Sequence, residues 1–78
     1  MKVNTYLFKE DLTKYNIVRI EKFKSGKVLA RLYVYDGSLI DVLSGEVGEN
    51  IIRFISEEFT YDLSNRKLSE LSLVIYVK

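Results

Sequence analysis

The chain of 78 residues contains no cysteine and no histidine. Without cysteine it can form no disulfide, no thiolate nucleophile and no thiolate-ligated metal site. Without histidine it also lacks the usual general base near neutral pH, every catalytic triad that needs an imidazole, and the commonest metal ligand. These two absences predict a protein that is not an enzyme and that binds neither a metal nor a cofactor.

Long hydrophobic runs and proline are absent as well. No apolar run approaches about 18 residues, the length needed for a membrane-spanning helix, and the first residues form no apolar signal core. The sequence therefore predicts a soluble, cytoplasmic protein with no membrane partner. The lack of proline is a bias of composition and predicts no role.

The small total charge of +1 hides a division of charge along the chain. Residues 1–31 contain eight Lys or Arg and three acidic residues, which gives +5. Residues 32–78 contain four Lys or Arg and eight acidic residues, which gives −4. A small protein with this division can be steered toward a charged partner by either end.

The first half of the chain predicts strands joined by tight turns, within one domain that spans residues 1–78. Residues 2–8 alternate as in a strand, and residues 9–15 predict a loop or one helical turn. Residues 16–23 and 27–35 predict a hairpin in which Phe23 pairs with Lys27. This register gives a core face made of Val18, Ile20, Val28, Ala30, Leu32 and Val34.

The dipeptide Asp36-Gly37 is typical of a type I′ hairpin turn, so a third strand is predicted over residues 38–43. In that strand Leu39 and Leu43 fall on the core face. Residues 49–59 predict the main helix, with Ile51, Ile52, Ile55 and Phe59 on its buried side and an ion-pair row of Glu49, Arg53 and Glu57 opposite.

Three alternatives stay open for residues 60–70: a continued helix, a hairpin that turns at Asn65-Arg66, or a short helix capped by Ser64. Residues 71–77 alternate as in a strand. The whole pattern predicts an α+β fold, with a mostly antiparallel sheet of four or five strands and one principal helix packed on one face.

One helix, about 10–12 Å across, cannot cover both faces of a sheet about 24 Å wide. The reverse face is therefore predicted to keep an apolar and aromatic patch, which is typical of a protein-binding surface. The predicted protein-binding residues are Phe23, Leu29, Arg31, Tyr33, Tyr35 and Ile40. The alternative is that the sheet curls on itself, or that residues 9–15 and 60–70 fold over this face.

Charged residues suggest two further surfaces. Basic residues interleaved with aromatic ones make the hairpin of residues 16–35 a candidate nucleic-acid-binding element, with Arg19, Lys22, Lys24, Lys27 and Arg31 as the contacts. The small net charge argues against this alternative. An acidic face that mimics nucleic acid toward a basic partner would consist of Glu46, Glu49, Glu57, Glu58 and Asp62.

The sequence thus predicts a small non-enzymatic protein-binding module. Exposed strand edges at residues 2–8 or 71–77 also make a homodimer plausible. In size, charge division and lack of catalytic groups the chain is similar to small accessory proteins of viruses and mobile elements, including inhibitors of host defence systems. That resemblance involves no particular residues. It implies a protein that inhibits or modulates a host defence complex and, if viral, acts inside the host cell.

Overall fold

The structure, a computed structural model, describes residues 1–64 and 66–78 and all of their side chains except those of residues 62, 67 and 68. This part of the chain forms five strands and two short helices. In chain order they are α1 (Val3–Lys9), β1 (Ile17–Lys22), β2 (Val28–Tyr35), β3 (Ser38–Leu39), α2 (Gly45–Gly48), β4 (Ile52–Asp62) and β5 (Lys67–Val77). The predicted α+β class is confirmed, but the helices are short and neither is a principal helix.

The five strands form one mixed sheet in the order β3-β2-β1-β5-β4. β5 runs parallel to β1, and the other neighbouring pairs are antiparallel. The last strand lies in the interior of the sheet because it is apolar on both faces: Leu73, Val74, Ile75 and Val77 are almost fully buried. A near-continuous apolar run of this kind is typical of a strand covered on both sides.

The core lies on one face of the sheet, beneath α1 and the loop that follows it. Its buried members are Val3, Leu12, Tyr15, Val18, Ile20, Leu32, Leu73, Ile75 and Val77. The predicted register of the first hairpin is confirmed from Ile17 to Ile20; Val18, for example, pairs with Leu32. A bulge between Ile20 and Glu21 then shifts the pairing, so Val28 is exposed and Leu29 packs against the core instead. The predicted pairing of Phe23 with Lys27 is therefore wrong: Glu21 pairs with Val28, and the N–H of Lys22 donates to the carbonyl of Lys27.

The turn at Asp36-Gly37 is confirmed, because both residues have positive φ and Tyr35 pairs with Ser38. β3 is much shorter than predicted and ends at Leu39. Leu39 and Leu43 nevertheless pack against the core as expected.

The predicted strand over residues 2–8 and the predicted main helix over residues 49–59 are both wrong. Residues 3–9 are helical, and Val3, Tyr6 and Leu7, spaced as on one side of a helix, meet the core. Residues 52–62 instead form β4, which is hydrogen-bonded along its length to β5. The expected buried stripe is therefore largely exposed, at Ile51 and Phe59 for example.

Residues 60–70 agree with the hairpin alternative, because β4 ends at Asp62 and β5 begins at Lys67. Asn65, half of the predicted turn dipeptide, lies outside the described residues, while Arg66 has a φ of 54°. Over residues 1–64 and 66–78, no helix combines the length and the apolar character that crossing a membrane requires.

Candidate binding surface

The two faces of the sheet differ in what lies on them. One face carries Val18, Ile20 and Ile75, and both helices contribute to the core that covers it; we call it the packed face. The opposite face carries Arg19 and Val74 side by side; we call it the open face. The open face is the reverse face predicted from the sequence. Val74 and Ile17 at its centre are buried, whereas large side chains nearer its edges, such as Tyr33 and Phe54, stay exposed.

A group of exposed residues occupies the β2–β3 end of the open face. The exposed fractions are 51% for Tyr33, 76% for Tyr35 and 64% for Ile40. The backbone N–H of Ile40 donates to the carbonyl of Tyr33 at 3.0 Å, which fixes the two residues beside each other. Arg31 lies on the same face of β2 and is also exposed. We call these four residues the tyrosine patch.

The other two residues of the predicted protein-binding set lie elsewhere. Leu29 is at the bulge and packs against the core. Phe23 belongs to an aromatic cluster at the other end of the open face, with ring centroids 5.2 Å from Phe54, and Phe54 stacks on Tyr76 at 4.6 Å. The guanidinium of Arg53 lies 4.2 Å from the Phe23 ring centre, a cation–π contact.

Phe54 and Arg53 are not among the predicted site residues, because the sequence pattern placed them on a helix. Their position follows from the pairing of Phe54 with Tyr76 across β4 and β5. One signal was present: in β5, Tyr76 alternates with the buried Ile75 and Val77, so it had to face away from the core.

Between the patch and the cluster lies a group of charges centred on Arg19. Its side chain is 15% exposed and donates to Glu21, which is 13% exposed, and to Glu58 at 2.6 Å. The hydrogen bond from Arg19 lowers the pKa of Glu58, and the same bond raises the pKa of Arg19. Arg19 is therefore held by two carboxylates of its own chain, which leaves less of its charge for a phosphate.

The other predicted nucleic-acid contacts are divided between two places. Arg31 lies in the tyrosine patch. Lys22, Lys24 and Lys27 lie where β1 ends, since Lys22 pairs with Val77 and its N–H donates to the carbonyl of Lys27. The aromatic cluster lies at this same end of the sheet, because the N–H of Phe23 donates to the carbonyl of Val77 at 2.8 Å. We call this region the basic end.

The predicted acidic face does not form one row, because the helix on which it depended is a strand. Successive strand residues point to opposite faces, so Glu58 is on the open face and Glu57 is on the packed face. There Glu57 accepts hydrogen bonds from the Tyr15 hydroxyl and, at 3.0 Å, from Lys14. The bond from Tyr15 is the main reason that the pKa of Glu57 is lowered.

The remaining acids of that set are separated from these two. Glu49 pairs with Lys2 at 2.6 Å, and Glu46 lies on α2. Of Asp62 only the backbone position at the end of β4 is described. Across residues 1–64 and 66–78 no surface pocket opens, and the described acidic side chains form no group of three that could hold a metal ion.

Comparison of the chain with protein families, with curated proteins and with solved structures gave no match.

Proposed function

We propose that this chain is a small non-enzymatic protein-binding module and that the tyrosine patch is its contact surface. The observation that supports the proposal most is the exposure of Tyr33, Tyr35 and Ile40 together on a sheet face that no described helix covers. Contiguous apolar surface with a polar rim is typical of a site where another protein docks.

The residue types of the patch suit recognition of a protein. Tyrosine offers a large amphipathic surface whose ordering costs little conformational entropy, and tyrosine and arginine are enriched among the residues that dominate binding energy. Arg31 supplies five N–H donors at the rim, where they can pair with carboxylates or carbonyls of a partner. The patch is also carried by paired strands, so little backbone ordering is needed when a partner binds.

A module of this kind acts by occupying a surface of a larger assembly and not by transforming a substrate. We propose a protein complex of the host, of the defence type, as the partner, in line with the similarity of the chain to small accessory proteins of viruses and mobile elements. On this proposal the chain inhibits or modulates that complex by covering one of its surfaces.

The test is a pull-down from native host cells with two matched double variants. Tyr33→Ala with Tyr35→Ala removes two rings of the tyrosine patch. Phe8→Ala with Leu63→Ala removes exposed apolar area on α1 and directly after β4, away from the patch, since Phe8 and Leu63 are 91% and 81% exposed. We expect the control to keep the partner bound by the wild-type chain and the patch variant to lose it, with both variants folded by circular dichroism. A partner retained by the patch variant contradicts the proposal.

A second candidate function, nucleic-acid binding, is favoured by one observation at the basic end. Three lysines, Lys22, Lys24 and Lys27, lie at the same end of the sheet as the stacked aromatic cluster, and bases can stack on such rings while lysines meet phosphates. Retention of a labelled single-stranded oligonucleotide should then fall steeply with salt and be abolished when all three lysines are changed to Glu. No binding even at low salt would exclude this candidate.

A further inference from the structure

The two edges of the sheet are unequal. β3, at one edge, has two residues, whereas β4, at the other, has eleven. The edges predicted from the sequence are not edges: residues 3–9 form α1, and β5 lies between β1 and β4. A long edge strand presents unpaired N–H and C=O groups and is a template for a further strand.

The hydrogen bonds of β5 show which groups of β4 are unpaired. The N–H of Leu71 donates to the Asn16 side chain and its carbonyl accepts from the Asn16 N–H, both at 2.8 Å, and the carbonyl of Val77 accepts from Phe23. The backbone N–H and C=O groups of alternate β5 residues thus point toward β1; these residues are Leu71, Leu73, Ile75 and Val77. In an antiparallel ladder the residues opposite them point outward. The outward residues of β4 are Ile55, Glu57 and Phe59.

Irregularities bound the regular part of this edge. The pairing with β5 shifts between Ile52 and Phe54 and again between Thr60 and Tyr61. Before the first shift the edge is already occupied, since the N–H of Ile52 donates to the carbonyl of Met1 at 2.9 Å. The regular, unpaired segment is therefore residues 54–60, and its midpoint is Glu57.

We propose that β4 pairs with β4 of a second copy of this chain about a two-fold axis at Glu57, so that the two sheets join. In this register residues 54–60 of one copy lie opposite residues 60–54 of the other, so the whole regular segment is paired. It places Ile55 opposite Phe59 of the second copy and supplies about six inter-chain hydrogen bonds from the three outward residues of each strand.

The side chains fit this register. Ile55 and Phe59 point to the packed face, beyond the cover of the core, and are 36% and 63% exposed; pairing would cover each with an apolar neighbour. At the axis two Glu57 carboxylates meet, but each already binds Lys14 of its own chain at 3.0 Å. Two lysines therefore offset the two carboxylates. Residues 54–60 contain no proline and no lysine, two residues that commonly protect an edge, and the charges of Glu57 and Glu58 are paired within the chain with Lys14 and Arg19.

The test compares two double variants by sedimentation and light scattering over a range of concentrations. Ile55→Lys with Phe59→Lys sets like charges opposite each other in the proposed register. Ile55→Glu with Phe59→Lys sets opposite charges there, with the same positions changed. We expect the wild type to show a mass near twice 9.1 kDa, the first variant to be monomeric and the second to remain dimeric. A monomeric wild type, or two variants with the same mass, would overturn the proposal.

A second measurement does not depend on the folding of any variant. Amide hydrogen exchange of the wild type should protect the outward N–H groups of Ile55, Glu57 and Phe59 at high concentration and release them on dilution. The N–H groups of Ser56 and Glu58, which face β5, should stay protected throughout. Fast exchange of the outward amides at every concentration would also overturn the proposal. The tyrosine patch lies on β2 and just after β3, at the opposite edge of the sheet, so a failure of the proposed function would leave the result of this test unchanged.

Discussion

Replacement of Arg19 by methionine tests whether the charges at the centre of the open face stabilise the sheet. Methionine keeps much of the apolar stem and removes the guanidinium. The Glu21 carboxylate, only 13% exposed, then loses the Arg19 donor, and Glu58 loses its bond as well. Leaving a desolvated carboxylate without its partner is the costly part of the change.

The expected size of the effect follows from the two hydrogen bonds. A charge-assisted bond between poorly exposed groups contributes about 1.5–3 kcal/mol, which applies to the Glu21 contact. Glu58 is 52% exposed, so solvent screening limits its contact to about 1 kcal/mol or less. We expect Arg19→Met to lower the free energy of unfolding by about 1.5–4 kcal/mol. A chain of this length has about 4–12 kcal/mol in total.

Urea denaturation at pH 7, followed by circular dichroism, measures this loss. The matched control is Arg31→Met, an exposed arginine on the same face, which should change stability by less than about 0.5 kcal/mol. Arg19→Met with Glu21→Gln should recover part of the loss, because no desolvated charge is left without a partner. Equal stabilities of Arg19→Met and Arg31→Met would refute the reasoning.

Two further predictions concern stability at low pH and the glycine of the Asp36-Gly37 turn. The pKa of Glu58 is lowered by Arg19, so the Arg19–Glu58 pair stabilises the fold fully above the ordinary pKa of 4.5 and loses this effect as the pH falls below that value. The urea midpoint of Glu58→Gln should therefore change less than that of the wild type between pH 6 and about pH 3. Gly37→Ala should cost about 1 kcal/mol or more, since φ is 81° and the new Cβ would lie 2.8 Å from Thr13 Cγ2. Gly26→Ala, with similar φ but open space, should lower the melting temperature less.

The first hairpin could be predicted from the sequence because its determinants are local. The Asp36-Gly37 turn was predicted correctly, and so was the register of β1 and β2 from Ile17 to Ile20, which accounts for the burial of Val18, Ile20 and Leu32. The bulge after Ile20 could not be predicted, since nothing in the local sequence marks the extra residue. The tyrosine patch followed from the hairpin, whereas the aromatic cluster required knowledge of β4.

Residues 2–8 were predicted as a strand and are largely helical, and residues 49–59 were predicted as a helix and largely form a strand. These two errors have a different cause. In the first segment Val3, Tyr6 and Leu7 fit a helical spacing while Val3 and Leu7 also fit an alternating one. In the second, β4 has no clear alternation, because the packed face of this strand carries Glu57 between Ile55 and Phe59. Its conformation is decided by pairing with β5, a contact between distant segments that overrides local propensity.

The charge division, the most evident feature of the sequence, leads to ion pairs within the folded chain. The sheet brings the basic first part of the chain against the acidic second part, and Lys2, Lys14 and Arg19 pair with Glu49, Glu57 and Glu58. Charges that could steer the chain toward a partner by either end are thus partly neutralised inside the molecule. Of these pairs only Arg19–Glu58 shares a face with the tyrosine patch, whose rings stay exposed, so contact area more than net charge should select the partner proposed for it.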